Sequence, residues 1–139
     1  MKYVLHLLVI LNSLVLTAQS VTGTWKTIDD ETGAAKSYVE IYENNGKIYG
    51  KIVKILNPDR VDAKCIKCEG ANKNKPVLGM QIINGLTKDG DTYEDGEILN
   101  PENGKVYDCT IKLTSNPDKL RVRGYIGFFY KTQYWQRVK

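Results

Sequence analysis

The sequence contains almost no histidine and very little serine, which limits the reactions it can support. Its single histidine is His6, near the N-terminus, and beyond Ser20 the only serines are Ser37 and Ser115. Serine and cysteine hydrolases activate their nucleophile with a neighbouring base that is most often histidine, and histidine is also the commonest metal ligand. Most hydrolase mechanisms and all histidine metal sites are therefore excluded for the chain after residue 20.

The longest apolar run is too short to be a typical membrane span. It extends from Val4 to Leu16 after the cationic Lys2, whereas a spanning helix needs about 20 apolar residues. Small residues follow in Ala18-Gln19-Ser20 at the spacing that a signal peptidase recognises. We therefore expect residues 1–20 to be a signal peptide, cleaved after Ala18 or Ser20, rather than a membrane anchor. No cysteine follows the run to carry a lipid, so residues 21–139 are expected to be periplasmic or secreted, with no membrane span.

The charges are interleaved and form no basic block. Lysine and arginine total 20 against 16 acidic residues, a formal net charge of +4 that falls by one without Lys2. Nucleic-acid-binding proteins carry clustered basic patches, so we expect no nucleic-acid partner. The roughly 120 residues after the signal peptide are enough for one domain with a single core.

Alternating segments between turn signals predict an all-β fold. Asn44-Asn45-Gly46 is typical of a hairpin turn because Asn and Gly accept positive φ. An alternative for the segment that begins at Met80 is a short helical turn. The predicted strands are Val21–Ile28, Lys36–Glu43, Lys47–Leu56, Met80–Thr87, Thr92–Leu99, Lys105–Leu113 and two strands within Leu120–Lys139.

Eight antiparallel strands in a chain of this length favour a closed up-and-down β-barrel, which leaves no exposed sheet edge. An open sandwich is the alternative. The last two strands are predicted to bend near Tyr130. The first of them places Leu120, Val122, Ile126 and Phe128 on one face and Arg121, Arg123 and Tyr125 on the other.

The strand pattern is interrupted by residues 57–77, which are polar and contain Cys65 and Cys68. Two thiols at this spacing can form a small disulfide, exchange disulfides or supply half of a zinc site. A zinc site needs further ligands, and the only other cysteine, Cys109, alternates with apolar residues on a predicted strand. In an oxidising compartment we therefore expect a Cys65–Cys68 disulfide that stabilises the loop, and a buried Cys109.

The aromatic residues suggest a binding pocket, because tyrosines inside a small barrel combine apolar area with hydroxyl groups. Acidic residues cluster only at turns, so we expect no catalytic residues, no metal site and no cofactor. The candidate binding or barrel-end residues are Trp25, Tyr107, Tyr125, Trp135, Arg123 and Arg137.

Several phrases of the sequence resemble one family along nearly the whole chain after residue 20. They include Gly23-Thr24-Trp25-Lys26-Thr27, the segment Asn100–Tyr107, the segment Val122–Gly127 and Gln133-Tyr134-Trp135-Gln136-Arg137. In these the chain resembles domain-of-unknown-function family 2147, exported bacterial proteins without an established activity.

A shorter resemblance is to the calycins, the lipocalin-like barrels. In that group an early Gly-x-Trp packs against an arginine on or after the last strand. The resemblance implies that Gly23, Trp25 and Arg137 close one barrel end, with the guanidinium over the indole. It implies a fold rather than a function.

These observations favour an exported, non-enzymatic barrel that binds a small apolar molecule or a partner protein of the bacterial envelope. The alternative is a thiol–disulfide protein that uses Cys65 and Cys68. A third possibility is a surface interaction module without a pocket. Oligomeric state is not specified by the sequence.

Overall fold

A computed structural model describes residues 20–139, which form an eight-stranded antiparallel barrel. The expected signal peptide lies outside the described residues, apart from Ser20. The all-β, up-and-down barrel prediction is confirmed, and the open sandwich is wrong. The strands are β1 Gly23–Ile28, β2 Ala35–Asn44, β3 Lys47–Ile55, β4 Gln81–Asp89, β5 Thr92–Asn100, β6 Lys105–Leu113, β7 Lys119–Ile126 and β8 Phe129–Arg137.

Each strand pairs with the next along the chain, and the barrel closes where β1 pairs with β8. At this closure Trp25 lies opposite Arg137, and Lys26 lies opposite Gln136. The first and last strands therefore meet as their Gly-x-Trp and Trp-x-Arg patterns indicated. The segment that begins near Met80 is strand β4, not a helical turn.

The core is made by the inward-facing residues of the alternating strands. On β7, for example, Leu120 and Val122 are almost fully buried. Arg121 and Arg123, which alternate with them, face outward. Buried residues from β1 to β8 form one cluster, which includes Trp25, Val39, Ile41, Ile83, Leu86, Ile111 and Trp135.

The two ends of the barrel differ. The closed end carries the tight β2–β3, β4–β5 and β6–β7 turns together with Ser20–Thr22 and the C-terminus. The open end carries the β1–β2, β5–β6 and β7–β8 connections and the long segment between β3 and β4. That segment contains two short 3-10 helices, Pro58–Arg60 and Gly70–Asn72. Among the described residues, none belongs to a helix of the length and apolar character that a membrane crossing requires.

The turn between β7 and β8 lies at Gly127 and Phe128, not at Tyr130. Ile126 and Phe129 are the last paired residues of this hairpin. Ile126 continues the alternation of Leu120 and Val122 along β7, but it is 52% exposed, and Phe128, in the turn, is 102% exposed. The prediction that the two extend the apolar face of Leu120 is therefore wrong for Phe128, and Ile126 shares the face without being buried. Strand alternation fixes the face but not the point at which a strand extends past the barrel wall.

The 57–77 loop is an ordered structure packed on the open end. Cys65 and Cys68 form the expected disulfide, and both are buried. The backbone N–H groups of Cys65 and Val77 donate to the carbonyls of Lys75 and Ala63, at 2.9 Å each. The loop therefore has its own backbone hydrogen bonds, and the Cys65–Cys68 disulfide constrains it further.

Candidate functional site

A cavity of about 610 Å³ opens at the open end of the barrel. Its floor and walls come from strand residues, and its rim comes from the β1–β2, β3–β4 and β5–β6 connections together with Lys131 of β8. This volume falls within the range of small-molecule sites in proteins.

The inner wall of the cavity is largely apolar. It is formed by residues of the six strands β3 to β8. The apolar and aromatic lining residues of the wall are Ile52, Ile55, Ile82, Ile98, Leu99, Tyr107, Val122 and Trp135.

A hydrogen-bonded chain of side chains runs from the wall to the rim along β8. Trp135 Nε1 donates to Gln133 Oε1 at 3.0 Å, and Gln133 Nε2 donates to Asp30 Oδ2 at 2.8 Å. Lys131 Nζ lies 2.9 Å from the same Asp30 oxygen. That hydrogen bond raises the pKa of Lys131, and the Asp30 charge adds to the effect. These hydrogen bonds give the buried Trp135 N–H an acceptor and hold the β1–β2 loop against β8.

A second polar cluster on the rim centres on Lys36. Its ammonium lies 2.5 Å from Glu102 Oε1 and 3.7 Å from Asp29 Oδ2, which links the β1–β2 and β5–β6 connections. The carboxylate of Asp29 also accepts the backbone N–H groups of Thr32 and Glu31, at 2.9 Å each. These backbone hydrogen bonds, that of Thr32 first, lower the pKa of Asp29.

Two further cations reach the rim from the disulfide loop. Arg60 and Lys64 line the cavity, and within residues 20–139 neither forms a salt bridge. The rim cations Lys36 and Lys131 are both paired with carboxylates. The rim cations that could pair with an anionic ligand are therefore Arg60 and Lys64, on the side of the disulfide loop.

Contact with the β5–β6 turn fixes the position of the disulfide loop. Gly104 has a φ of +71°, and a Cβ at this position would overlap the carbonyl of Lys67 and the nitrogen of Cys68. Cys65 Sγ lies 3.3 Å from the carbonyl oxygen of Pro101 in the same turn. Only glycine permits this approach of the two backbones.

The structure divides the predicted binding residues into three groups. Tyr107 and Trp135 line the cavity, whereas Trp25 and Arg137 pack together at the closed end. Arg123 and Tyr125 lie on the outer face of β7, where Arg123 Nε donates to Thr132 Oγ1 and the Tyr125 ring packs on Tyr130. They do not line the cavity, because they alternate with the inward-facing Leu120 and Val122.

Sequence reasoning missed most of the wall and the whole rim. The inward-facing isoleucines follow from strand alternation and were available in the sequence. The Gln133–Asp30 hydrogen bond joins residues 103 positions apart, and no local pattern indicates it.

Cys109 of β6 is a free thiol buried in the core, as predicted. Burial raises its pKa to about 12. In residues 20–139, no three cysteine or acidic side chains are grouped so that they would hold a metal ion.

Comparison with known proteins agrees with this geometry. The model of a family described as an uncharacterized protein conserved in bacteria, DUF2147, matches residues 23–137. A solved structure of a protein from Helicobacter pylori, described as belonging to the lipocalin family, has a TM-score of 0.76 and 23% sequence identity. The match covers 88% of this chain and 85% of that chain. This similarity shows a lipocalin-like fold. No curated protein matches the chain significantly in sequence.

Proposed function

The chain belongs to the bacterial family DUF2147, and we propose that it binds a small, mostly apolar molecule in the open end of its lipocalin-like barrel. The observation that carries this proposal is the cavity of about 610 Å³, whose wall is apolar and whose rim is polar. A barrel of this size is often filled by its own side chains. Here the side chains leave a space at the open end.

The distribution of polar groups indicates how the molecule lies in the site. Hydrocarbon or ring surface gains most free energy against Ile82, Ile98 and Val122, because burial removes apolar area from water. A polar or anionic group of the ligand stays at the rim, near Arg60 and Lys64 of the disulfide loop. The ligand is therefore an amphipathic molecule that enters with its apolar end first.

Export of the protein is part of the proposal. It is supported by the apolar run and small residues of the first 20 positions and by the disulfide, since disulfides persist in oxidising compartments. In the envelope the binding site would meet lipids, quinones and other poorly soluble molecules, which are the classes that a mostly apolar cavity selects.

The thiol–disulfide alternative has less support. Catalytic disulfides expose at least one sulfur to their substrate, whereas Cys65 and Cys68 are 0% and 2% exposed. Their position against the β5–β6 turn favours a structural role at the rim. Reduction of insulin by the protein, abolished in Cys65→Ser, is the result that would restore the alternative.

An apolar fluorescent probe tests the binding site. N-phenylnaphthylamine, excited outside the tryptophan absorption band, is expected to brighten on titration with the protein and to saturate. Ile98→Trp fills part of the cavity and is expected to weaken probe binding by about tenfold or more. Val106→Trp is the matched control, because Val106 is 53% exposed on the neighbouring strand and does not line the cavity. Unsaturable brightening, or equal affinity in both variants, would contradict a site inside the barrel.

A further inference from the structure

The β7–β8 turn exposes the most apolar surface that the described chain presents in one place. Phe128 and Phe129 are 102% and 82% exposed, and Ile126 and Tyr130 on either side are 52% and 59% exposed. These residues form the tip of one hairpin, which we call the aromatic tip (126–130). A soluble protein seldom presents several adjacent large apolar side chains to water unless they contact another molecule or a membrane.

The two strands that carry the aromatic tip contain cationic residues and no acidic ones. Residues 119–139 contain six cations and no acidic residue. Lys119, Arg137 and Lys139 lie at the closed end, so the cations nearer the tip are Arg121, Arg123 and Lys131. Acids of other elements lie close by: Asp108 is opposite Tyr125 on β6, and Asp30 binds Lys131. Within residues 20–139, Arg121 and Arg123 form no salt bridge. The chain as a whole has nearly balanced charges, so the hairpin is distinctly more basic than the rest.

The hairpin holds the aromatic tip in a fixed orientation. Its strands are paired up to Ile126 and Phe129, and the Tyr125 and Tyr130 rings pack with their centres 5.6 Å apart. The Arg123 guanidinium lies 4.9 Å from the centre of the Tyr130 ring. Because the hairpin is already ordered, insertion of its tip requires little further loss of conformational entropy.

The aromatic tip stands beside the mouth of the cavity. Gly124 precedes it on β7 and Lys131 follows it on β8, and both line the cavity. A surface that received the tip would therefore lie next to the opening through which a ligand enters.

We propose that the aromatic tip docks the protein on an anionic lipid bilayer, with the cavity mouth beside the membrane surface. Phe128 and Phe129 enter the boundary between head groups and acyl chains, and Arg123, which forms no salt bridge within residues 20–139, lies at the level of the lipid phosphates. Shallow insertion of apolar side chains, combined with attraction to anionic lipids, is a general mode of reversible membrane binding. Docking does not depend on the cavity being a binding site.

Two other occupants fit the same surface less well. A second copy of the chain, placed across a two-fold axis, would bring one basic hairpin against another. A specific protein partner buries about 800 Å² on each side, and two phenylalanines at the end of a narrow hairpin supply little of that area. Shallow insertion into a bilayer requires contact with the aromatic tip alone.

The test is flotation of the purified protein with vesicles of two compositions. Vesicles of three parts phosphatidylethanolamine to one part phosphatidylglycerol are expected to carry the protein upward, and phosphatidylcholine vesicles are not. The double variant Phe128→Ser with Phe129→Ser is expected to lower the bound fraction by about tenfold or more. Val53→Ser is the matched control, since Val53 is an exposed residue of β3 on the opposite side of the barrel.

A second readout follows the depth of the tip. Phe128→Trp places an indole at an exposed site, against a constant background from the buried Trp25 and Trp135. Its emission is expected to shift to shorter wavelength with the anionic vesicles, and added salt is expected to reverse the shift. Circular dichroism confirms that each variant is folded.

Three results would overturn the proposal. The first is absence of flotation with anionic vesicles, and the second is flotation that the double variant does not reduce. The third is a wild-type dimer in sedimentation velocity that the double variant dissociates while neither protein floats, because the tip would then be a self-association surface. None of these results alters the expected binding of N-phenylnaphthylamine, so docking and the cavity are tested separately.

Discussion

The guanidinium of Arg137 lies over the indole of Trp25, with 4.3 Å between Arg137 Cζ and the ring centre. Its nitrogens also donate to the carbonyls of Thr22, Ser20 and Pro117, at 3.0, 2.8 and 3.1 Å. One side chain thereby joins the residues before β1, the β6–β7 turn and β8. The arginine that the lipocalin-like resemblance implied does close the barrel end.

Replacement of Arg137 is expected to loosen this end. Arg137→Ala removes the charged hydrogen bonds and the cation–π contact, and is expected to lower the free energy of unfolding by about 2–3 kcal/mol. Arg137→Lys is expected to recover only a minor part, because an ammonium lacks the planar fork that reaches several acceptors. Urea unfolding measures both changes. Full recovery by lysine would mean that charge alone, not the fork, holds the end closed.

Trp25 supports the same end from inside. It is fully buried, and its Nε1 donates to the carbonyl of Val21 at 2.8 Å. Trp25→Ala is expected to cost about 3–5 kcal/mol through the cavity it leaves. Trp25→Phe keeps most of the volume but leaves the Val21 carbonyl unpaired, and is expected to cost about 1–3 kcal/mol. A loss below about 0.5 kcal/mol for the alanine variant in urea unfolding would be inconsistent with a core position.

Gly104 is expected to control the attachment of the disulfide loop. Gly104→Ala introduces a methyl group that overlaps the Lys67 backbone, whereas Gly46→Ala, at a similar φ of +78°, meets no atom within 4 Å. Both variants bear the same type of backbone strain, and only the first displaces the loop. Faster reduction of the Cys65–Cys68 bond by dithiothreitol is therefore expected in Gly104→Ala alone. Equal rates in the two variants would show that the loop does not depend on this contact.

Cys109 is expected to report opening of the barrel. With its pKa raised to about 12 by burial, only about one thiol in ten thousand is ionised at a pH near 8, and the sulfur is also shielded from reagent. Iodoacetamide is therefore expected to modify Cys109 in urea but not in the native protein. The intact mass of the alkylated protein measures this. Rapid alkylation without denaturant would place the thiol on an accessible surface.

The strands and their inward faces were predictable because alternation is a local property. Tyr107, Cys109 and Ile111 share one face in the sequence pattern and in the barrel. The same pattern already placed Arg123 and Tyr125 opposite Leu120, so strict use of alternation would have excluded them from the cavity. Their position in the strand alternation predicts whether they line the cavity better than their residue type does.

The rest depended on distances that the sequence does not specify. Whether a barrel is filled or open is decided by the packing of all its strands together, and the rim is built from connections far apart in the chain. Asp30 becomes a rim residue only because β8 brings Gln133 and Lys131 beside it. Ile126 is exposed because β7 continues beyond the wall that buries Leu120, and Phe128 is exposed because it lies in the turn after β7.

The most direct test of the binding cavity is the intact mass of the protein isolated from its own bacterium, first under native conditions and then denatured. The proposed function predicts a native mass larger than the denatured mass, by an amount that identifies a small amphipathic molecule. Ile98→Trp, isolated in the same way, is expected to retain less of it. Equal native and denatured masses, together with no saturable binding of N-phenylnaphthylamine, would contradict the account.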